Sequence, residues 1–236
     1  MPFFASVEGV FGYGKPVTSA VDPTNPIVAG NATVTMSSNN YIAIPGVAGQ
    51  DDSFGYIPTS NFNFFFFGSN YGSNQAAPNA IYWNTNNVVG FGTGNGTIQW
   101  VANTGRGILC GNYDRRTNAA YYSTAVTTGN FQYLPIRVWF QNLYSDGIAN
   151  AGQMQIRLAR NTVSGSQYVE FRIATTVTTA GYGTNSNWNI TDGTSFKNTF
   201  GTTFASSYPA ANTSFVIASD STGTNWTLSN TSYLNF

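Results

Sequence analysis

Histidine is absent from these 236 residues, cysteine occurs once, and Asp, Glu, Lys and Arg together make up only 8% of the chain. Each shortage removes a class of chemistry. Without histidine there is no side chain whose ordinary pKa suits it to move protons near neutrality, and the commonest metal ligand is missing. A single cysteine, Cys110, excludes an internal disulfide and a shared thiolate metal cage, and a papain-like Cys–His pair is impossible. Nine basic residues against nine acidic ones leave no net charge. A nucleic-acid partner is therefore not expected, because phosphate binding draws on an excess of Lys and Arg. No apolar run approaches the ~18–20 residues that a membrane-spanning helix needs, so no membrane insertion is expected. The start of the chain, MPFFASVEGVFGYGKP, lacks a basic region followed by an uninterrupted apolar one, so no Sec-type export signal is read there.

Aromatics, at 16%, sit among Asn, Thr, Ser and Gly. Such residues build neutral, hydrogen-bonding surfaces. A chain so poor in charge has little self-repulsion to hold it apart from its neighbours, which suits a subunit covered by others and equally a hydrated polar shell.

Short runs of β-branched and aromatic residues recur between Gly, Asn, Ser and Pro, and no long stretch repeats apolar residues at helical spacing. This pattern predicts an all-β chain, an antiparallel β-sandwich with little or no helix. Pro16, Pro23 and Pro26 interrupt pairing, so residues 1–26 read as an arm or edge strand with a linker, or equally as a first strand of the sandwich. Residues 27–236 read as one β-sandwich domain. Strands are expected at 27–36, 41–44, 61–67, 80–83, 88–91, 98–101, 108–110 and 119–123. The four phenylalanines Phe64 to Phe67 suggest a strand buried on both faces. Asn84-Thr85-Asn86-Asn87 reads as a tight hairpin turn, since Asn tolerates positive φ.

The clearest meander comprises 131–140, 154–160 and 168–175. Its alternation places Arg137, Arg157, Glu170 and Arg172 on one face, read as a solvated polar face with charge pairs worth only tenths of a kcal/mol each. Residues 181–189 read as a loop. Residues 194–204, with Phe196, Phe200 and Phe204 four apart, suggest a helical turn or two capped by Asp192 or Thr194. Residues 214–218 and 226–236 read as a final hairpin.

The candidates for chemistry are few. Asp51-Asp52 forms a metal site only if Asp114, Asp146, Asp192 or Asp220 converges on it; otherwise these side chains cap a turn. A glycosidase needs two carboxyl groups, yet the glutamates are Glu8 and Glu170 alone, and Arg172 sits two residues from the second. Cys110 reads as a small buried hydrophobe. Arg115-Arg116 reads as a turn or an intersubunit contact. The glycine string Gly90-Phe91-Gly92-Thr93-Gly94-Asn95-Gly96 lacks the Lys-Ser/Thr and helix of a phosphate loop. The N-x-S/T sequons at Asn31, Asn95, Asn189, Asn212, Asn225 and Asn230 are as many as this composition yields by chance. Tyr82, Trp83, Trp188 and Trp226 are candidates by type for stacking on sugars, and equally core residues of a sandwich. No catalytic, cofactor or metal residue is assigned.

Asp51-Asp52-Ser53-Phe54, Phe62-Asn63-Phe64-Phe65-Phe66-Phe67-Gly68 with Tyr71, and Ile81-Tyr82-Trp83-Asn84-Thr85-Asn86 leading to Val89-Gly90-Phe91-Gly92 together resemble a nidogen-type module. The similarity runs over roughly residues 50–175, about half the chain. The overall style, neutral and rich in Asn, Thr, Gly and aromatics, also resembles capsid-associated and surface proteins of large DNA viruses and phages. What these resemblances imply is a non-enzymatic virion structural protein, a minor capsid, cement or surface-spike subunit. Its partners would be itself or other coat proteins, and it would need no cofactor. The alternatives are a glycan-binding attachment module and a secreted adhesion module on an extracellular surface, with a hydrolase last.

Overall fold

A computed structural model describes residues 28–29, 41–59, 61–72, 77–96, 105–112, 115–142, 152–175, 187–195, 197 and 213–228. The described residues form sixteen strands and no helix. In chain order these are β1 (Val28–Ala29), β2 (Ile42–Ala43), β3 (Phe54–Tyr56), β4 (Asn63–Phe66), β5 (Ser69–Gly72), β6 (Ile81–Asn84), β7 (Val88–Phe91) and β8 (Arg106–Asn112). There follow β9 (Arg115–Tyr122), β10 (Val126–Thr128), β11 (Phe131–Asn142), β12 (Gly152–Asn161), β13 (Gln167–Thr175), β14 (Asn187–Asp192), β15 (Thr213–Ser219) and β16 (Trp226–Leu228).

Every named pairing is antiparallel. The large sheet runs β1-β15-β13-β12-β11-β9-β2, with β10 added to β11 and β16 to β15. A five-stranded sheet runs β14-β8-β7-β6-β3, and β4 pairs with β5 in a separate ribbon. One apolar core joins all three: Leu134, Ile156 and Phe171 of the large sheet, Trp83, Val89 and Ile108 of the second, and Phe64 and Phe66 of the ribbon.

The meander forms as its alternation requires. Leu134 faces Leu158, Ile136 faces Ile156, and Val138 faces Met154 across β11 and β12. Each of these side chains is fully buried. With a side-chain period of two, the intervening residues must share the opposite face. Arg157 pairs in register with Glu170 and Gln155 with Arg172.

At Arg157 and Glu170 that opposite face is not solvated, contrary to the sequence expectation, while Arg137 and Arg172 on it are half-buried. Arg157 is 5% exposed and Glu170 4%, and both Gln155 and Val216 on the same face are buried. Alternation shows which residues share a face but cannot show that the face is covered. The small or apolar residues Pro135, Ala159 and Val216 at neighbouring positions are the signal that it is, and all three are buried.

Other departures have equally local causes. In the phenylalanine run the pleat wins over uniform burial: Phe64 and Phe66 are fully buried, while Phe65 and Phe67 are half-buried. Arg115 and Arg116 open β9 instead of making a turn. The polar stretch read as a loop contributes its last three residues, Asn187 to Asn189, to β14. Pairing with β8 and the seating of Trp188 in the core override local turn preference there. The strands β3, β5 and β10 were too short, or too rich in Gly and Asn, to be marked by alternation. Of the expected helical stretch, Thr194 and Ser195 lie in a bend that begins at Gly193; Phe196, Phe200 and Phe204 lie outside the described residues, as do 98–101 and 1–26.

Two ring clusters fill the core. Phe66 stacks on Phe91 at 4.2 Å, and Trp226 lies 5.9 Å from Phe64. At the other, Phe171 stacks on Phe215 at 4.5 Å, with Trp188 edge-on to both. Pairs of this kind add about 0.5–1.5 kcal/mol beyond their buried area.

Candidate functional site

The densest gathering of polar groups surrounds the turn between β6 and β7. The sequence forms this turn because Asn87 accepts a φ of 63°, a conformation Asn adopts more readily than most residues. The Asn84 side chain accepts a hydrogen bond from the Asn86 N–H at 2.6 Å, and the Asn84 carbonyl accepts from the Asn87 N–H at 3.0 Å. Hairpin turns ordinarily face water, but Asn84, Thr85, Asn86 and Asn87 are all buried to within 1%.

Burial on that scale demands partners, and neighbouring segments supply most of them, with Asn87 Oδ1 left without one. Asn84 donates to the Asn95 carbonyl at 2.6 Å. Asn86 donates to Asp52 Oδ1 at 2.8 Å and to the Gly96 carbonyl at 3.3 Å. Thr85 exchanges backbone and hydroxyl bonds with Ser53. On the core side Trp83 Nε1 donates to the Thr117 hydroxyl at 3.0 Å, which itself donates to the Thr85 carbonyl at 3.3 Å. The junction thus ties the second sheet to β9 of the large sheet.

The glycine string has a packing role in the same place. A Cβ at Gly90 would meet the Tyr82 ring at 2.0 Å, one at Gly94 the Phe54 ring at 1.9 Å, and one at Gly96 the Asp52 carbonyl at 2.1 Å. These glycines let rings and backbone approach closely, and the described residues include no helix that would make a phosphate cradle with them.

Asp52 Oδ1 is committed to Asn86. Asp51 is half-buried, and its Oδ1 has no hydrogen-bond partner. Burial and the neighbouring Asp52 charge raise its pKa, against a smaller lowering by Arg116. The other described aspartates serve their own turns. Asp192 accepts from the Thr194 and Ser195 N–H groups, each at 2.8 Å, and pairs with Lys197 at 2.8 Å. Desolvation works to raise its pKa, but the Lys197, Thr194 and Ser195 bonds outweigh it and hold the carboxyl well below the usual range. Asp220 is lowered too, chiefly by the Thr222 hydroxyl. Among the described residues no three acidic, cysteine or histidine side chains gather as a metal site would need; Asp114 and Asp146 lie outside them.

Glu170 is clasped between two guanidinium groups, with Arg157 Nε on one carboxylate oxygen and Arg172 on the other at 2.9 Å. Charge-assisted bonds to both oxygens make this carboxylate part of the structure of the face. Glu8 lies outside the described residues. Cys110 is 1% exposed, its Sγ donates to the Ile108 carbonyl, and burial pushes the thiol pKa up, so the reactive thiolate is suppressed.

Tyr82, Trp83, Trp188 and Trp226 are each at most 4% exposed. None is available to stack on a sugar, and all belong to the core or its flanking cluster. Of the described sequons, Asn189 is buried, Asn95 half-buried and Asn225 exposed. Sequence reasoning missed the buried Arg157–Glu170–Arg172 group and the burial of the Asn-rich turn, since neither composition nor spacing says what lies over a face.

No protein-family model matches this chain, and neither a curated protein nor a solved structure matches it.

Proposed function

We propose that this chain is a non-enzymatic virion structural protein, a minor capsid, cement or surface-spike subunit that works by packing against copies of itself or other coat proteins. The observation that carries this reading is the commitment of most of the described reactive groups to structure. Cys110 is sealed in the core, Glu170 is held by two arginines, and Asp192 and Asp220 each close their own turn. Among the described residues, what remains exposed is mostly Ser, Thr, Asn and Gly, which offer shape and hydrogen bonds instead of reactivity. The competing reading, a glycan-binding attachment module, has lost its four aromatic candidates to the core.

Chemical cross-linking of the purified chain, run beside a glycan array, separates the two. An assembly subunit gives discrete cross-linked multimers and retains no sugar. A chain that binds a defined glycan and yields no multimers would overturn the proposal.

A further inference from the structure

Arg106 opens β8 on the same face of the second sheet as Ile108 and Cys110 of the core, so its side chain starts from the core side at the rim of that sheet. There it meets the β4–β5 ribbon. Nη1 donates to the Ser69 hydroxyl at 2.8 Å and to the Tyr71 hydroxyl at 2.9 Å, while Nε donates to the Asp192 carbonyl at 3.2 Å. Ser69 and Tyr71 alternate with Asn70 along β5, so the pleat sends both side chains to one face. Pairing of β8 with β14, and packing of the Tyr71 ring against Phe91 with centroids 5.3 Å apart, hold the group in place.

These bonds take three of the five N–H groups of a guanidinium and leave the two of Nη2. Each hydroxyl accepts from Arg106, so its own proton is unspent, and Tyr71 is only 4% exposed. All three partners of Arg106 are neutral. Among the described residues the ion pairs are Glu170 with Arg157 and Arg172, and Asp192 with Lys197; none includes Arg106. Asp220, on the turn that bonds Gly68, is engaged by Thr222 and Asn225. The two Nη2 hydrogens and one from each hydroxyl, four donors in all, therefore gather around a positive charge with no described carboxylate paired to it. Arg106 and Ser69 are half-buried and Asn70 is exposed, so this corner is open to solvent.

We propose that this corner binds a tetrahedral oxyanion, a phosphate or sulfate group. The site goes beyond the assembly reading and does not rest on it. A guanidinium that only clamped the ribbon to the sheet would remain a half-buried charge without compensation. An oxyanion supplies the missing negative charge and the missing acceptors together, through charge-assisted bonds. A tetrahedral anion offers separate oxygens to Nη2, to Ser69 and to Tyr71, whereas a carboxylate must share two oxygens among the three groups. Because strand pairing and ring packing already fix the donors, little order has to be created on binding.

Titration of the isotope-labelled full chain with inorganic phosphate tests this, with ionic strength held constant by sodium chloride and backbone amide shifts followed by NMR. Saturable shifts should centre on Ser69, Tyr71, Arg106 and Asp192, and sulfate should act alike. Acetate should bind about tenfold more weakly, since it gives up a charge-assisted bond. Removing one hydroxyl, as Ser69→Ala or Tyr71→Phe, should weaken phosphate by about tenfold for the same reason, and Arg106→Gln should abolish its binding. Arg116→Gln is the control, at a half-buried arginine whose Nε has no partner, and should bind as wild type. If Arg106→Gln loosens the ribbon, the two hydroxyl variants decide, because they keep the guanidinium. Phosphoserine that matches phosphate marks a group carried on a larger molecule, and binding of phosphate alone marks a free ion; both support the site. Amides that stay still in phosphate, binding untouched by either hydroxyl variant, or acetate as tight as phosphate would each overturn it, and the assembly reading stands or falls separately by cross-linking.

Discussion

Replacing Glu170 with glutamine removes one negative charge and almost nothing else, and it should be among the costliest single changes in this protein. The carboxylate sits between Arg157 and Arg172 on a covered face, and both Glu170 and Arg157 are at most 5% exposed. Breaking such an ion pair from one side leaves a buried guanidinium without its compensating charge, at a cost of about 3–5 kcal/mol. For a chain of this size that is a drop in Tm of about 6–20 °C. Urea unfolding followed by tryptophan fluorescence measures it, with the midpoint lowered and the slope unchanged if only stability has moved. The internal control is Lys197→Ala. Its partner pair with Asp192 is much more open, with the Lys197 side chain 43% exposed, so about 0–1 kcal/mol is expected. Replacing all three charges together, as Arg157→Met, Glu170→Leu and Arg172→Leu, should recover most of the loss, because no buried charge is then left over. If Glu170→Gln costs no more than Lys197→Ala, the face is solvated and the argument from its burial is wrong.

Gly90→Ala should destabilise by about 1–3 kcal/mol, measured in the same urea titration, because the new methyl group collides with the Tyr82 ring. Cys110 should stay unlabelled by a thiol reagent under native conditions and react only as the chain unfolds in denaturant, since its thiol is buried and its pKa raised. Asp192 and Asp220 have folded pKa values below those of the unfolded chain. Their stabilisation is therefore full above about pH 4 and is lost as the pH falls through the lowered folded values. Thermal melts taken downward from pH 5 should show falling Tm, and the fall should be smaller in Asp220→Asn, which has no proton to take up.

The alternation of residues 131–140, 154–160 and 168–175 made the central meander legible, because the side-chain period of a strand is written directly into the order of Leu, Ile, Val and their polar neighbours. The β6–β7 hairpin was legible from Asn84 to Asn87 for a similar reason, as positive φ is a local demand. What lies over a face is decided by distant segments. For that reason alternation cannot tell that Arg157 and Glu170 are covered, local composition cannot tell that Trp188 in a Gly- and Asn-rich stretch enters a strand, and neither shows the burial of the Asn turn. The aromatics were ambiguous in the same way: Trp83 and Trp226 are residue types that serve a core or a ligand equally well, and only their burial separates the two.

The proposed assembly role is tested by light scattering on the full chain, followed across concentration. A discrete multiple of the 25.4 kDa chain mass is expected, reached in a saturable way as an assembly subunit requires. A mass that stays at that of the single chain at every concentration would contradict self-assembly.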